Sequence, residues 1–72
     1  ISSMIEIKCE KKPDKIRASQ PVLLSGLSFP LNDLPSVHDY LRALLCFCQE
    51  KEAEVSMTFV ENDNLHTEKA GL

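Results

Sequence analysis

One amphipathic helix pattern, set between two segments of alternating hydrophobicity, most constrains how this 72-residue chain can fold. Its apolar residues recur at helical spacing and fill one side of a helical wheel. They are Val37, Tyr40, Leu41, Leu44, Leu45 and Cys48, with Phe47 at the border of the arc. Ser36 is predicted as the N-cap, with Asp39 near the positive end of the helix. A helix with one apolar side must pack against another layer.

The flanking segments alternate between apolar and polar residues, which is typical of strands with one buried face. The expected core residues are Ile5, Ile7 and Cys9 before the helix and Val55, Met57 and Phe59 after it. Turn residues follow the first segment and predict a β-hairpin from Met4 to about Ser19. Pro21 excludes a central strand at its own position. Residues 22–24 are predicted as an edge strand, or as the start of a bulged strand that continues past Gly26.

These elements predict an α+β fold, a small two-layer module in the order β-β-(β)-α-β. One amphipathic helix covers a three- or four-stranded, mainly antiparallel sheet. Residues 1–61 are predicted to form a single domain, a fragment of a larger protein, and residues 62–72 a polar tail or short edge extension. The element order resembles the front half of ubiquitin-like and PB1-like modules and the sheet-then-helix half of RWD-type modules. No signature residues accompany it, so no family follows.

Cysteine usage bears on compartment and metal binding. The chain has three cysteines and no visible secretion signal, which fits reduced thiols in the cytoplasm or nucleus. Cys46 and Cys48 would point about 160° apart on a helix and so cannot share a metal ion. Cys9 is expected to meet Cys48 in the core as a second small apolar residue. No metal site and no cofactor are predicted.

Several other function classes are excluded by charge and spacing. A net charge of −3 makes nucleic acid an unlikely main partner, and no apolar run is long enough to span a membrane. His38 and Asp39 are neighbours on the helix and point apart, while Cys46 lies two turns from His38. With only two glycines, the chain has no phosphate-binding loop. No catalytic residue is identified, and the chain is predicted not to be an enzyme.

The remaining prediction is a protein–protein interaction or dimerisation module, acting through a sheet edge or an exposed apolar patch. The partner is another protein or a second copy of the chain. Residues 1–36 carry a charge of +1 and residues 37–72 a charge of −4, which favours charge-guided association. The candidate binding residues are the basic Lys8, Lys11, Lys12, Lys15 and Arg17 and the apolar Leu23, Phe47 and Val60.

Other interpretations of these residues remain open. The lysines are also typical of an edge strand protected against stray pairing, and the three apolar side chains are also explained by burial in an imperfect pattern. Alternative functions are a scaffold or regulatory fragment of an enzyme whose catalytic residues lie elsewhere, and a nucleic-acid accessory domain that uses the lysine-rich hairpin.

Overall fold

A computed structural model describes residues 3–13, 20–61 and 64–70. Its elements follow the order β-β-α-β-β and form one four-stranded antiparallel sheet with a helix on one face. The elements are β1 (Met4–Lys11), β2 (Val22–Pro30), α1 (Leu34–Glu50), β3 (Glu54–Glu61) and β4 (Asn64–Ala70). The predicted α+β fold with two layers is confirmed.

Strand β1 is central rather than part of an edge hairpin. The sheet order is β2-β1-β3-β4, so β1 pairs with β2 on one side and β3 on the other. The expected return strand near residues 16–18 lies outside the described residues, and the neighbour that follows β1 in the chain begins at Val22. Lysines on β1 therefore do not protect a sheet edge, which was one interpretation of their clustering.

The predicted continuation of the strand past Gly26 is confirmed, together with its bulge. Strand β2 pairs with β1 through Pro30, and the register shifts between Cys9 and Glu10. Cys9 pairs with Ser25 and Glu10 pairs with Leu23, which leaves Leu24 as the extra residue on β2. A bulge of this kind changes which face the following side chains occupy.

The core lies between α1 and one face of the sheet. Its fully buried side chains include Ile7, Cys9 and Val55 from the strands and Cys48 from the helix. The predicted face residues Met57 and Phe59 pack against this cluster. Burial of a Val or Ile side chain contributes about 1.5–3 kcal/mol to folding, so a few such residues hold the two layers together.

A disulfide joins Cys9 on β1 to Cys48 in the last turn of α1, with 5.9 Å between their Cα atoms. The prediction that these residues meet in the core is confirmed, and the prediction that they are reduced thiols is wrong. Both side chains are fully buried and face each other across the two layers, at a Cα separation that a bridge readily spans. Cys46 is the exposed free thiol.

The helix begins earlier than predicted. Its N-cap is Asp33, whose side chain accepts a hydrogen bond from the Ser36 N–H at 3.4 Å, so the assignment of Ser36 as the cap is wrong. The reason is Pro35, which the first turn of a helix accommodates because the N–H there has no intrahelical partner. From this start α1 lies over β1, β2 and β3, while β4 extends the sheet beyond the helix.

Candidate protein-interaction site

Strand β2 forms one edge of the sheet, and no strand in the described ranges pairs with its outer side. Its nine residues, VLLSGLSFP, include no charged side chain. Edge strands that remain unpaired commonly carry lysines or other charges that disfavour a second strand. β2 lacks this charged protection, and its edge is interrupted only by the bulge at Leu24 and by Pro30 at its end. Its other outward backbone groups are available to an extended chain of another molecule.

Strand β4 forms the opposite edge and does carry charges. His66, Glu68 and Lys69 lie within its seven residues. The His66 Nε2 atom is 2.9 Å from a Glu68 carboxylate oxygen, and the Lys69 Nζ atom is 3.3 Å from a Glu54 carboxylate oxygen. An exposed ion pair such as that between Lys69 and Glu54 adds little stability, but the charged side chains Glu68 and Lys69 along the strand oppose strand addition. The two edges therefore differ, and β2 is the more receptive one.

Exposed apolar side chains are concentrated on the same edge. Of the seven large apolar residues that are exposed within the described ranges, four belong to β2. These four are Val22, Leu23, Leu24 and Leu27. Exposed apolar side chains on a small protein commonly mark an interaction surface, so their concentration on β2 indicates the same edge as its free backbone. They do not all share one face, since Leu23 lies beside Glu6 and Lys8 whereas Leu24 lies beside the helix.

A groove runs between β2 and α1, and the bulge helps to form it. Leu24 and Ser25 are consecutive, yet both line this groove together with residues of the helix. The groove has a volume of about 290 Å³ and is lined by Leu24, Ser25, Tyr40, Ala43, Leu44 and Phe47. At its floor the Ser25 and Tyr40 hydroxyl oxygens lie 2.9 Å apart in a hydrogen bond. Because the other four lining residues are apolar, the groove presents a mainly apolar surface.

The groove has a basic end. Lys11 and Lys12 are exposed and line a neighbouring depression of about 300 Å³ with Pro13, Val22 and Leu24. The ion pairs found in the described residues involve Lys8, His66 and Lys69, and none includes Lys11 or Lys12. On the helix side, the Lys51 ammonium lies 5.7 Å from the centroid of the Phe47 ring. Basic side chains therefore lie next to two of the residues that line the apolar groove, Leu24 and Phe47.

The structure brings together only some of the binding residues predicted from the sequence. Lys11, Lys12 and Phe47 are located around the groove. Leu23 pairs with Glu10 in the sheet and lies beside Lys8 and Glu6 on the open face, away from the helix. Lys8 is 3.7 Å from Glu6. Lys15 and Arg17 lie outside the described residues.

Val60 is also on the open face, at the far end of the sheet. Its register partners are Met4 on β1 and Leu65 on β4, and Leu65 is 72% exposed. Val60 therefore shares no surface with Phe47, which lies over the other face. Leu23, Phe47 and Val60 do not form the single patch that their places in the sequence pattern suggested.

Sequence reasoning did not identify Leu24, Ala43 or Tyr40 as groove residues. Ala43 is small, and Tyr40 falls within the apolar arc of the helix, so neither stands out from a core pattern. One signal was present for Leu24. The run Val22-Leu23-Leu24 breaks the alternation of a regular strand, and such a break is what a bulge produces.

Neither a metal site nor a membrane-spanning helix is found in the part of the chain that the structure describes. Within residues 3–13, 20–61 and 64–70, no group of three or more His, Cys, Asp or Glu side chains is placed to hold a metal ion. Across the same ranges, no helix combines the length and hydrophobicity needed to cross a bilayer. Comparison with known proteins gives no further guide, since no family model, curated protein or solved structure matches this chain.

Proposed function

We propose that this chain is a protein-interaction module that receives an extended segment of a partner protein along the free edge of β2. The segment adds to the sheet as a further antiparallel or parallel strand, and its backbone pairs with the outward N–H and C=O groups of β2. Its side chains reach the groove between β2 and α1. The observation that carries this proposal is a nine-residue edge strand without a charged side chain.

The occupant proposed is a segment of another protein rather than a second copy of this chain. Lys11 and Lys12 line the depression next to the groove, and the Lys51 ammonium lies 5.7 Å from the ring of the groove residue Phe47, so these lysines favour an acidic occupant. A second β2 strand provides no acidic side chain for them, because β2 itself is uncharged. Self-association through β2 is the alternative to binding of another protein, and sedimentation of the chain alone measures it. A dimer that Leu27→Lys disrupts would favour the second copy.

The compartment of action is part of the proposal. The buried bridge between Cys9 and Cys48 favours a location where disulfides persist, in place of the reducing cytoplasm or nucleus expected from the odd cysteine count. Quantification of free thiols in the protein isolated from its native source tests this point. One accessible thiol, at Cys46, is expected before reduction and three after it.

A random peptide library displayed on phage is the probe for the binding mode. Selected peptides are expected to protect backbone amides of β2 from hydrogen exchange and to leave those of β4 unchanged, because strand addition occupies only one edge. Leu27→Lys adds a charge to the β2 edge and is expected to weaken binding at least about tenfold, or 1.4 kcal/mol.

Leu65→Lys is the matched control, since Leu65 is an exposed leucine on the opposite edge. Its binding is expected to equal that of the unmodified chain. Selection of no peptides, or of peptides that protect β4 or α1 but not β2, would count against the proposed function.

A further inference from the structure

We infer that the bound segment carries an apolar side chain and an acidic side chain on one face, separated by a single residue. This inference rests on the proposed strand addition at β2 and specifies the chemistry of the segment. It comes from two depressions that adjoin each other beside β2, one apolar and one basic. Leu24 lines both of them, so an occupant of one extends directly into the other.

The apolar position follows from the lining of the groove. Leu24, Ala43, Leu44 and Phe47 supply its carbon surface. The hydroxyl groups of Ser25 and Tyr40 form one hydrogen bond with each other, so one of their two O–H donors is used within the pair. An aliphatic or aromatic side chain placed there removes apolar surface from water, which favours binding.

The acidic position follows from the charges at the start of β2. Lys11 and Lys12 border the depression beside Val22, and their ammonium groups have no ion-pair partner among the described residues. Two acidic side chains among the residues that the structure describes are placed elsewhere. Glu10 pairs with Leu23 in the sheet on the open face, and Glu54 lies 3.3 Å from Lys69. A carboxylate of the segment would therefore complete the site.

The spacing follows from strand geometry. Val22 pairs with Lys11 before the bulge, and Ser25 pairs with Cys9 after it, so both point to the helix side of the sheet. On β1 their partners Cys9 and Lys11 are two residues apart, which is the period of side chains on one face of a strand. The side chains of a regular strand added beside β2 repeat with the same two-residue period. The apolar and acidic residues of the segment are therefore separated by one residue. If it adds antiparallel to β2, the acidic residue is the C-terminal one.

Four synthetic peptides with a common threonine-rich host sequence test this inference. The first has leucine and, two residues later, glutamate. The second replaces the glutamate by lysine, the third replaces the leucine by alanine, and the fourth reverses the order of leucine and glutamate. Fluorescence anisotropy measures each Kd. The first peptide, or the fourth if addition is parallel, is expected to bind at least about tenfold tighter than the second and third.

Variants of the chain assign each contact. Lys11→Glu with Lys12→Glu is expected to reverse the preference toward the lysine peptide, which a merely unfolded variant could not do. Lys69→Glu, on the opposite edge, lowers the net charge by two, as each of the two substitutions does, and is expected to keep the original preference. Leu24→Ala is expected to weaken binding of the leucine peptides. Leu23→Ala, one residue away on the open face, is expected to leave it unchanged.

The outcomes separate this inference from the proposed function. Equal affinities for all four peptides, with β2 amides protected from hydrogen exchange, would overturn the inferred pattern and leave strand addition standing. Protection confined to other elements would overturn both. A single-stranded oligonucleotide that displaces the glutamate peptide and binds the same lysines more tightly would also overturn the inference, in favour of a nucleic-acid role.

Discussion

The hydroxyl oxygens of Ser25 and Tyr40 lie 2.9 Å apart and connect the edge strand β2 to helix α1. The ring of Tyr40 also packs against Phe29, with 5.5 Å between the ring centroids. Tyr40 therefore contacts β2 at two points. Together these contacts fix the separation of the strand and the helix, which form the two sides of the groove.

Tyr40→Phe is expected to lower the free energy of unfolding by about 1 kcal/mol, because it removes the hydrogen bond and keeps the ring packing. Ser25→Ala is expected to have a similar effect. Urea denaturation of both single variants and the double variant measures the coupling. If the bond stabilises the fold, the double variant costs clearly less than the sum of the two single losses. Additive losses would show that the two hydroxyl groups act independently.

The disulfide between Cys9 and Cys48 is expected to provide a large share of the stability of this small fold. It closes a loop with a sequence separation of 39 residues, for which the chain-entropy model gives about 4 kcal/mol. Urea denaturation of Cys46→Ser before and after reduction measures this contribution, since the substitution prevents thiol exchange. Cys46→Ser by itself is expected to change stability by less than about 0.5 kcal/mol, because Cys46 is exposed. Identical oxidised and reduced midpoints would contradict the prediction.

The elements of this fold were predictable because each depends on local periodicity. The apolar stripe of α1 and the alternation in β1 and β3 report which side chains are buried, and the structure buries Ile7, Leu44 and Val55 as expected. The identity of the strands that pair with β1 was not predictable in the same way. Alternation identifies the buried face of β1, but it does not reveal that β2 begins only at Val22 or that β3 occupies the other side.

Two features of the candidate site depend on non-local geometry as well. The bulge at Leu24 shifts the face of the residues before it, so Leu23 is on the open face and Leu24 lines the groove. The state of the cysteines depends on the distance between Cys9 and Cys48, which sequence spacing does not contain. The lysines were identified from the sequence, whereas the apolar groove beside them required the packing of α1 on β2.

The N-cap assignment leads to a third prediction. Asp33→Ala is expected to destabilise the fold by about 1 kcal/mol, because the Ser36 N–H loses its side-chain acceptor. Asp39→Ala is the matched control, as Asp39 is an exposed acidic residue farther along the same helix. Its effect is expected to stay within about 0.5 kcal/mol. Thermal or urea denaturation compares the two, and a larger loss for Asp39→Ala than for Asp33→Ala would contradict the assignment of Asp33 as the N-cap.

The C-terminal end of α1 contains a residue in an unfavourable conformation. Glu52 has a φ of 55°, in the left-handed region where glycine is the usual residue. Its N–H donates to the Gln49 carbonyl, and the Ala53 N–H donates to the Cys48 carbonyl at 2.9 Å. These two bonds form a Schellman motif, and the buried Ala53 provides its apolar contact. The motif therefore holds Glu52 in a conformation that its Cβ opposes.

Glu52→Gly is expected to raise the free energy of unfolding by about 1 kcal/mol. A residue with a Cβ loses about 1–2 kcal/mol in the left-handed region, and the greater entropy of an unfolded glycine offsets part of that gain. Glu52→Ala removes the same negative charge from the helix C-terminus and keeps a Cβ, so it separates the two effects. Urea denaturation should rank glycine above both alanine and glutamate at this position. An equal gain from alanine would assign the stabilisation to charge rather than to backbone conformation.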